Sequence, residues 1–100
     1  MSDTTDWQFD SLEEIRERID EIDAEIVNLI GQRAACVHEV IRFKSGPEDA
    51  HRPDRVEAVI ASVRAQAMNS GADPDLVEQL YRHMISWFTE SEIQALERMT

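Results

Sequence analysis

Nine arginines and a single lysine stand among twenty-one acidic side chains. Four of these cations fall where they could act together: Arg16, Arg33, Lys44 and Arg55. Four cations suit a doubly negative ligand. Arginine can grip a carboxylate through a two-point fork, whereas lysine offers a compact charge able to follow an oxygen as it turns negative. One carboxylate is equally conspicuous, because Glu92 interrupts an apolar stripe between Phe88 and Ala95. It reads either as the ionic partner of a core arginine or as a desolvated acid that stays protonated and donates a hydrogen bond. The residues that would mark other chemistries are missing: there is no Gly-rich phosphate loop and no serine nucleophile motif. His38, His51 and His83 lack metal-ligand spacing.

The elements that must carry these groups are helical. From Leu12 to Lys44 the sequence keeps a 4-3 apolar rhythm through Ile15, Ile19, Ile22, Ile26, Leu29, Cys36, Val40 and Phe43, and Arg33 takes one of its beats. A charge in an apolar seam is expensive unless an anion or acidic partner meets it. As one helix this stretch would be roughly 50 Å long, against a radius of gyration of about 13 Å for a compact domain of this size. Such a rod is expected to bury its stripe against a second chain. On it Arg33 and Lys44 would share a face about 16 Å apart, while Arg16 would lie ~25 Å from Arg33 and about 100° around. Two long helices running antiparallel in a dimer would bring Arg16 of one chain to the middle of its neighbour. Plainer readings stand beside these: Arg16 as a surface partner of Glu13 or Asp20, Lys44 as a helix-end cap, Arg55 as a solvated cation.

Residues 45–52 contain Gly46 and Pro47 and no apolar periodicity, and are expected to form an exposed loop. Pro53 suits the first position of a second helix, in which Val56, Val59, Ile60, Val63 and Ala67 share a face and which ends at Asn69-Ser70-Gly71. Arg55 in its first turn sits where unpaired N–H groups favour anions. Asp73 and Pro74 repeat the start signal. The third helix turns Val77, Leu80, Tyr81, Met84, Ile85, Phe88, Ala95, Leu96 and Met99 inward. Cys36 is expected to pack in the core and Trp87 in the core or a dimer interface. No useful stretch alternates with period two, so the expected fold class is all-α: one long and two shorter helices in an intertwined homodimeric bundle. Residues 1–10 are expected to be a flexible segment and 11–100 one helical domain.

Composition narrows the function further. A formal charge of −11 argues against binding nucleic acid or an anionic membrane through a general electrostatic field. The single cysteine allows no intrachain disulfide and suits a reducing cytoplasm. Met1 to Asp10 lacks the basic start and apolar core of a signal peptide, and no apolar run approaches the ~20 residues that cross a bilayer. A cytoplasmic, soluble protein is expected. With 42% apolar residues a solitary three-helix core would be marginal, which again favours dimerisation.

Several pieces of this pattern taken together resemble a family. Leu12-Glu-Glu-Ile-Arg16, Ile19-Asp-Glu-Ile-Asp23, Gln32-Arg33, Arg42-Phe43-Lys44, Pro53-Asp-Arg55-Val56 and Tyr81 through Ile93 are similar in order and spacing to the all-helical, intertwined-dimer chorismate mutases. Within these they resemble the isochorismate pyruvate lyases of salicylate biosynthesis. The resemblance implies a pocket lined by Arg33, Lys44, Arg55, Val56, Phe88 and Glu92, with Arg16 donated by the partner subunit and with Lys44, Glu92 and Arg33 as the catalytic set. It implies a cyclohexadiene dicarboxylate substrate and no metal or cofactor. A pericyclic reaction needs no nucleophile, only a compact substrate conformer and positive charge near the breaking C–O bond.

Two departures direct the choice of substrate. Dedicated mutases of this class usually place glutamate after the helix-2 arginine, where this chain has Val56, as in the lyase branch. Glu92 takes a position usually held by glutamine, and as a carboxylate it would repel the ether oxygen, so it is expected to act protonated. Isochorismate is therefore the expected substrate, with side activity on chorismate. The alternatives are a mutase acting on chorismate or its 4-amino-4-deoxy analogue, and a non-catalytic helical dimerisation or regulatory module.

Overall fold

The computed structural model describes residues 8–99. The expected flexible segment, residues 1–10, lies outside them apart from Gln8, Phe9 and Asp10. Three α-helices follow in order: α1 (Leu12–Val40), α2 (Pro53–Ser70) and α3 (Pro74–Met99), with 3₁₀ turns at Ile41–Phe43 and Pro47–Ala50 between the first two. No strand occurs among the described residues, as the absence of period-two patterning requires. The described chain falls into two compact units divided between Ala35 and Cys36.

The first unit is helix α1 up to Ala35. Its start is set by local capping: the Glu14 N–H donates to Ser11 Oγ at 3.1 Å, and the Asp10 N–H donates to Glu14 Oε2 at 2.7 Å. The Ser11 hydroxyl thereby satisfies one of the N–H groups that a helix start leaves orphaned, while Glu14 reaches back to the residue before the cap. Helix α1 buries no residue. Leu12, Ile15, Ile19, Ile22, Ile26 and Leu29 are each between 38% and 60% exposed, an uncovered stripe that follows the 4-3 rhythm of the sequence.

The second unit begins at Cys36 and contains the hairpin of α2 and α3. Ile60, Val63 and Ala67 of α2 are buried, as their spacing predicts. Ion pairs join Glu57 to Arg82, and Arg64 to both Glu78 and Asp75. Partners that descend along α3 as they ascend α2 make the two helices antiparallel. Their joint turns at Gly71, whose φ of 84° lies in the left-handed region. The N–H groups of Gly71 and Ala72 both return to the Ala67 carbonyl, closing the end of α2 in the way glycine permits. Asp73 caps α3 as expected, its carboxylate accepting the Asp75 N–H at 2.8 Å.

The structure corrects several expectations. Helix α1 stops at Val40 rather than Lys44. Pro47 has no N–H for the Phe43 carbonyl, and its ring would clash with that group, so the helix cannot continue through it. The last turn tightens to 3₁₀, and Lys44 is extended at φ −110°, ψ 145°, so it does not stand on the helix as expected. Residues 45–52 are not simply an exposed loop, since Pro47–Ala50 form a 3₁₀ turn with Ala50 buried. Ala50 packs with Ile41 and Leu96, flanked by Ile93 and Ala95. Cys36 is exposed, not core, and Phe43 is 83% exposed, because α1 and the turn after it leave this stripe uncovered. Leu80, Trp87 and Met99 are exposed too. A single partner helix and the 41–50 segment cover only part of the circumference of α3.

Candidate active site

The segment after α1 and the far half of α3 build one pair of groups between them. Ile41, 7% exposed, and Ala50, 5% exposed, dock on Leu96, which at 2% is the most deeply buried side chain of this cluster. Lys44 lies between these two anchors, and Glu92 lies one helical turn before Leu96 on the same face of α3. Lys44 Nζ donates to Glu92 Oε2 at 2.9 Å, with the two side chains only 13% and 12% exposed. Lysine and glutamate are seldom so covered unless paired. Glu92 has an ionic partner, as one reading of the sequence required, but it is Lys44 and not an arginine. Lys44, for its part, reaches across to α3 and does not cap α1.

The remaining predicted site residues are distributed as follows. Val56 is half-buried and Arg55 exposed, both in the first turn of α2. Phe88 is half-buried on α3 and meets Trp87 edge to face, with ring centroids 5.1 Å apart. Arg16 is exposed and Arg33 half-buried, both on α1 in the first unit. Arg16 and Arg55 form no ion pair within 4 Å among the described residues, so neither Glu13 nor Asp20 holds Arg16. Among the described residues, no group of three or more His, Cys, Asp or Glu side chains is placed to hold a metal ion. No helix there is long and apolar enough to cross a membrane.

A groove of about 510 Å³ opens between the start of α2 and the middle of α3. Val56 contributes to its wall together with Ile85 and Ile93, while Arg52, Ser86 and Thr89 supply polar atoms. Arg82 and Glu57 close one end, bound to each other by two hydrogen bonds of 2.9 Å. Sequence reasoning missed Arg52, Arg82, Ser86 and Thr89. The signal was present for three of them: Arg82, Ser86, Thr89 and Ile93 follow one another at spacings of four, three and four, a stripe on one side of α3. It was hidden because the stripe mixes charged, hydroxyl and apolar residues and so carries no hydrophobic rhythm.

Arg82 ties the hairpin together electrostatically. Its hydrogen bonds to Glu57 raise its pKa, and those to Glu78 add to the effect. The same guanidinium holds the Glu57 carboxyl below its ordinary 4.5, and with a smaller contribution from Arg64 it lowers Glu78 likewise.

Lys44 and Glu92 do not line the groove between α2 and α3; of the predicted site residues Val56 alone does. The sequence itself matches a known family pattern over most of the chain. The pattern of chorismate mutase type II covers residues 15–93. The chain belongs to the chorismate mutase type II family. The matched span runs from the first turn of α1 past Glu92, so it contains every predicted site residue of this type II chain. It is 35% identical over 83 residues to an isochorismate pyruvate lyase of Pseudomonas aeruginosa, covering 83% of this chain and 82% of that protein. It is 39% identical over 84 residues to a bifunctional chorismate mutase/prephenate dehydratase of Neisseria gonorrhoeae and 34% identical over 84 residues to one of Stutzerimonas stutzeri. Those matches cover 21% and 22% of the bifunctional proteins. This type II chain therefore spans most of the lyase's length and about a fifth of theirs.

Proposed function

We propose that this protein is an isochorismate pyruvate lyase, converting isochorismate to salicylate and pyruvate, with side activity as a chorismate mutase. The observation that carries this reading is the covered Lys44–Glu92 pair in a chain alike, over most of both lengths, to an isochorismate pyruvate lyase. Val56 beside Arg55 supports the same substrate, since it offers nothing to the ring hydroxyl that a mutase's glutamate would meet. In the reaction the ether C–O bond breaks as a ring hydrogen passes to the enol methylene. The side chain leaves as pyruvate and the ring becomes aromatic. No group on the protein needs to bond to the substrate.

The roles follow from charge. Arg33, with Arg16 from the partner subunit of a homodimer and Arg55 of α2, holds the two substrate carboxylates. Lys44 stands at the ether oxygen, where negative charge grows as the bond breaks. Glu92, the ionic partner of Lys44 in this structure, helps in the reaction only once it has taken up a proton and donates to the same region, and Val56 and Phe88 face the ring. The catalytic domain is residues 11–100, and the protein works in the cytoplasm without a metal or cofactor. Incubation with isochorismate and chorismate in parallel, following salicylate and prephenate, tests the reading. Salicylate as the main product supports it, and prephenate alone replaces it with the second reading, chorismate mutase, which the two bifunctional relatives favour.

A further inference from the structure

The covered lysine leaves the main chain at an unusual place, between two anchors of one cluster and outside any helix. On its N-terminal side the Lys44 N–H returns to the Ile41 carbonyl at 3.1 Å, and Ile41 is buried against Leu96. On its C-terminal side Ala50 enters the same cluster. The residues between are closed by two hydrogen bonds running in opposite senses: the Asp49 N–H donates to the Gly46 carbonyl at 3.0 Å, and Asp49 Oδ2 accepts the Ser45 N–H at 2.7 Å. Pro47 inside this ring has no N–H to offer. Asp49 is thus the residue whose side chain and main chain both close the turn directly after Lys44.

We infer that Asp49 is a positioning residue for Lys44: its carboxylate holds the Ser45 N–H, fixes the direction in which the main chain leaves Lys44, and so keeps the ammonium on its line to Glu92. The Ser45–Asp49 bond is exposed, although Gly46 beside it is buried, and an exposed hydrogen bond adds little to the stability of a fold. Its effect falls on geometry instead. A lysine side chain has four rotatable bonds, and its tip is placed only as well as the backbone from which it starts. A charge meant to meet one oxygen in the transition state loses much of its value when misplaced by an ångström.

The proposal rests on the reading of Lys44 as the cation at the breaking bond, and its test separates the two. Asp49→Ala is expected to lower kcat for isochorismate about tenfold while KM changes less than about twofold. Its circular dichroism and melting temperature should stay close to those of the wild type. Asp49→Asn, which keeps an acceptor oxygen, is expected to restore kcat to within about twofold of the wild type. Glu48→Ala, an exposed neighbour in the same turn, serves as the control and should leave kcat unchanged. Alongside, amide exchange by NMR should show the Ser45 N–H losing protection in Asp49→Ala and keeping it in Asp49→Asn. Equal kcat in wild type and Asp49→Ala overturns the proposal, as does equal impairment of both Asp49 variants, or an unchanged Ser45 amide in Asp49→Ala. If the wild-type protein acts on neither substrate, the functional reading fails. The Ser45 amide and the exchange of the Lys44 ammonium protons then still decide whether Asp49 positions that side chain.

Discussion

Lys44 and Glu92 give up most of their hydration to meet at 2.9 Å, and a pair covered to this degree is weak evidence for stability, because desolvation offsets much of the attraction. Two groups held at that disadvantage are better explained by chemistry. Lys44→Ala is expected to reduce kcat by about a hundredfold or more with a smaller change in KM, since a charge that matters most at the developing oxyanion acts on the transition state rather than on binding. Steady-state kinetics on isochorismate checks this, and a change confined to KM would assign Lys44 to binding alone. For Glu92 the expectation concerns hydrogen-bond donation. Glu92→Gln, which keeps a donor, is expected to retain activity on isochorismate, and Glu92→Ala to lose most of it. Equal activity in Glu92→Ala and the wild type would take Glu92 out of the mechanism.

The α2–α3 hairpin carries the groove, and Arg82 is the residue that joins its two sides through Glu57 and Glu78. Both carboxyls titrate below their ordinary value because Arg82 donates hydrogen bonds to their ionised forms. A group whose pKa is lower in the folded chain than in the unfolded one adds stability above the unfolded pKa and loses it as pH falls through the folded one. The melting temperature is therefore expected to drop from about pH 5 downward, and Arg82→Ala should make that drop shallower while lowering the plateau above it. Parallel slopes in the two proteins would mean that other carboxylates dominate. The other end of the hairpin depends on Gly71. With φ at 84°, Gly71→Ala is expected to destabilise the second unit by about 1 kcal/mol, which urea unfolding would show as a lower midpoint at unchanged slope.

At the scale of the whole molecule the dominant fact is the apolar stripe of α1, six large aliphatic side chains in register, each between 38% and 60% exposed. Contiguous exposed apolar surface of this kind marks an interaction surface, and the proposed homodimer would cover it. Light scattering is expected to report twice the 11.5 kDa chain mass, and Ile22→Asp to give monomers without activity. The donation of Arg16 across subunits has its own measurement. Arg16→Ala and Lys44→Ala are each expected to be nearly inactive, yet refolding the two together should recover roughly a quarter of wild-type activity, because half the dimers are mixed and each has one intact site. No recovery would place Arg16 and Lys44 of the same chain in one site.

What the order of residues determined by itself was local and periodic. The spacing of Ile60, Val63 and Ala67, the capping roles of Asp73 and Gly71, and Pro53 at the start of α2 each depend on neighbours within a few positions, so they could be read directly. The charge on Arg33 in an apolar rhythm, and Glu92 in another, marked out candidates for the same reason. The structure decided what depends on distant contacts. It ended α1 at Val40, folded residues 47–50 back onto Leu96, and brought Lys44 to Glu92 across 48 positions of sequence. No periodicity encodes that meeting, because it follows from the packing of Ile41 and Ala50 on a helix that the chain reaches only after another helix and a turn. The groove between α2 and α3 is tertiary for the same reason: Val56 and Thr89 become two sides of one cavity only when the hairpin closes.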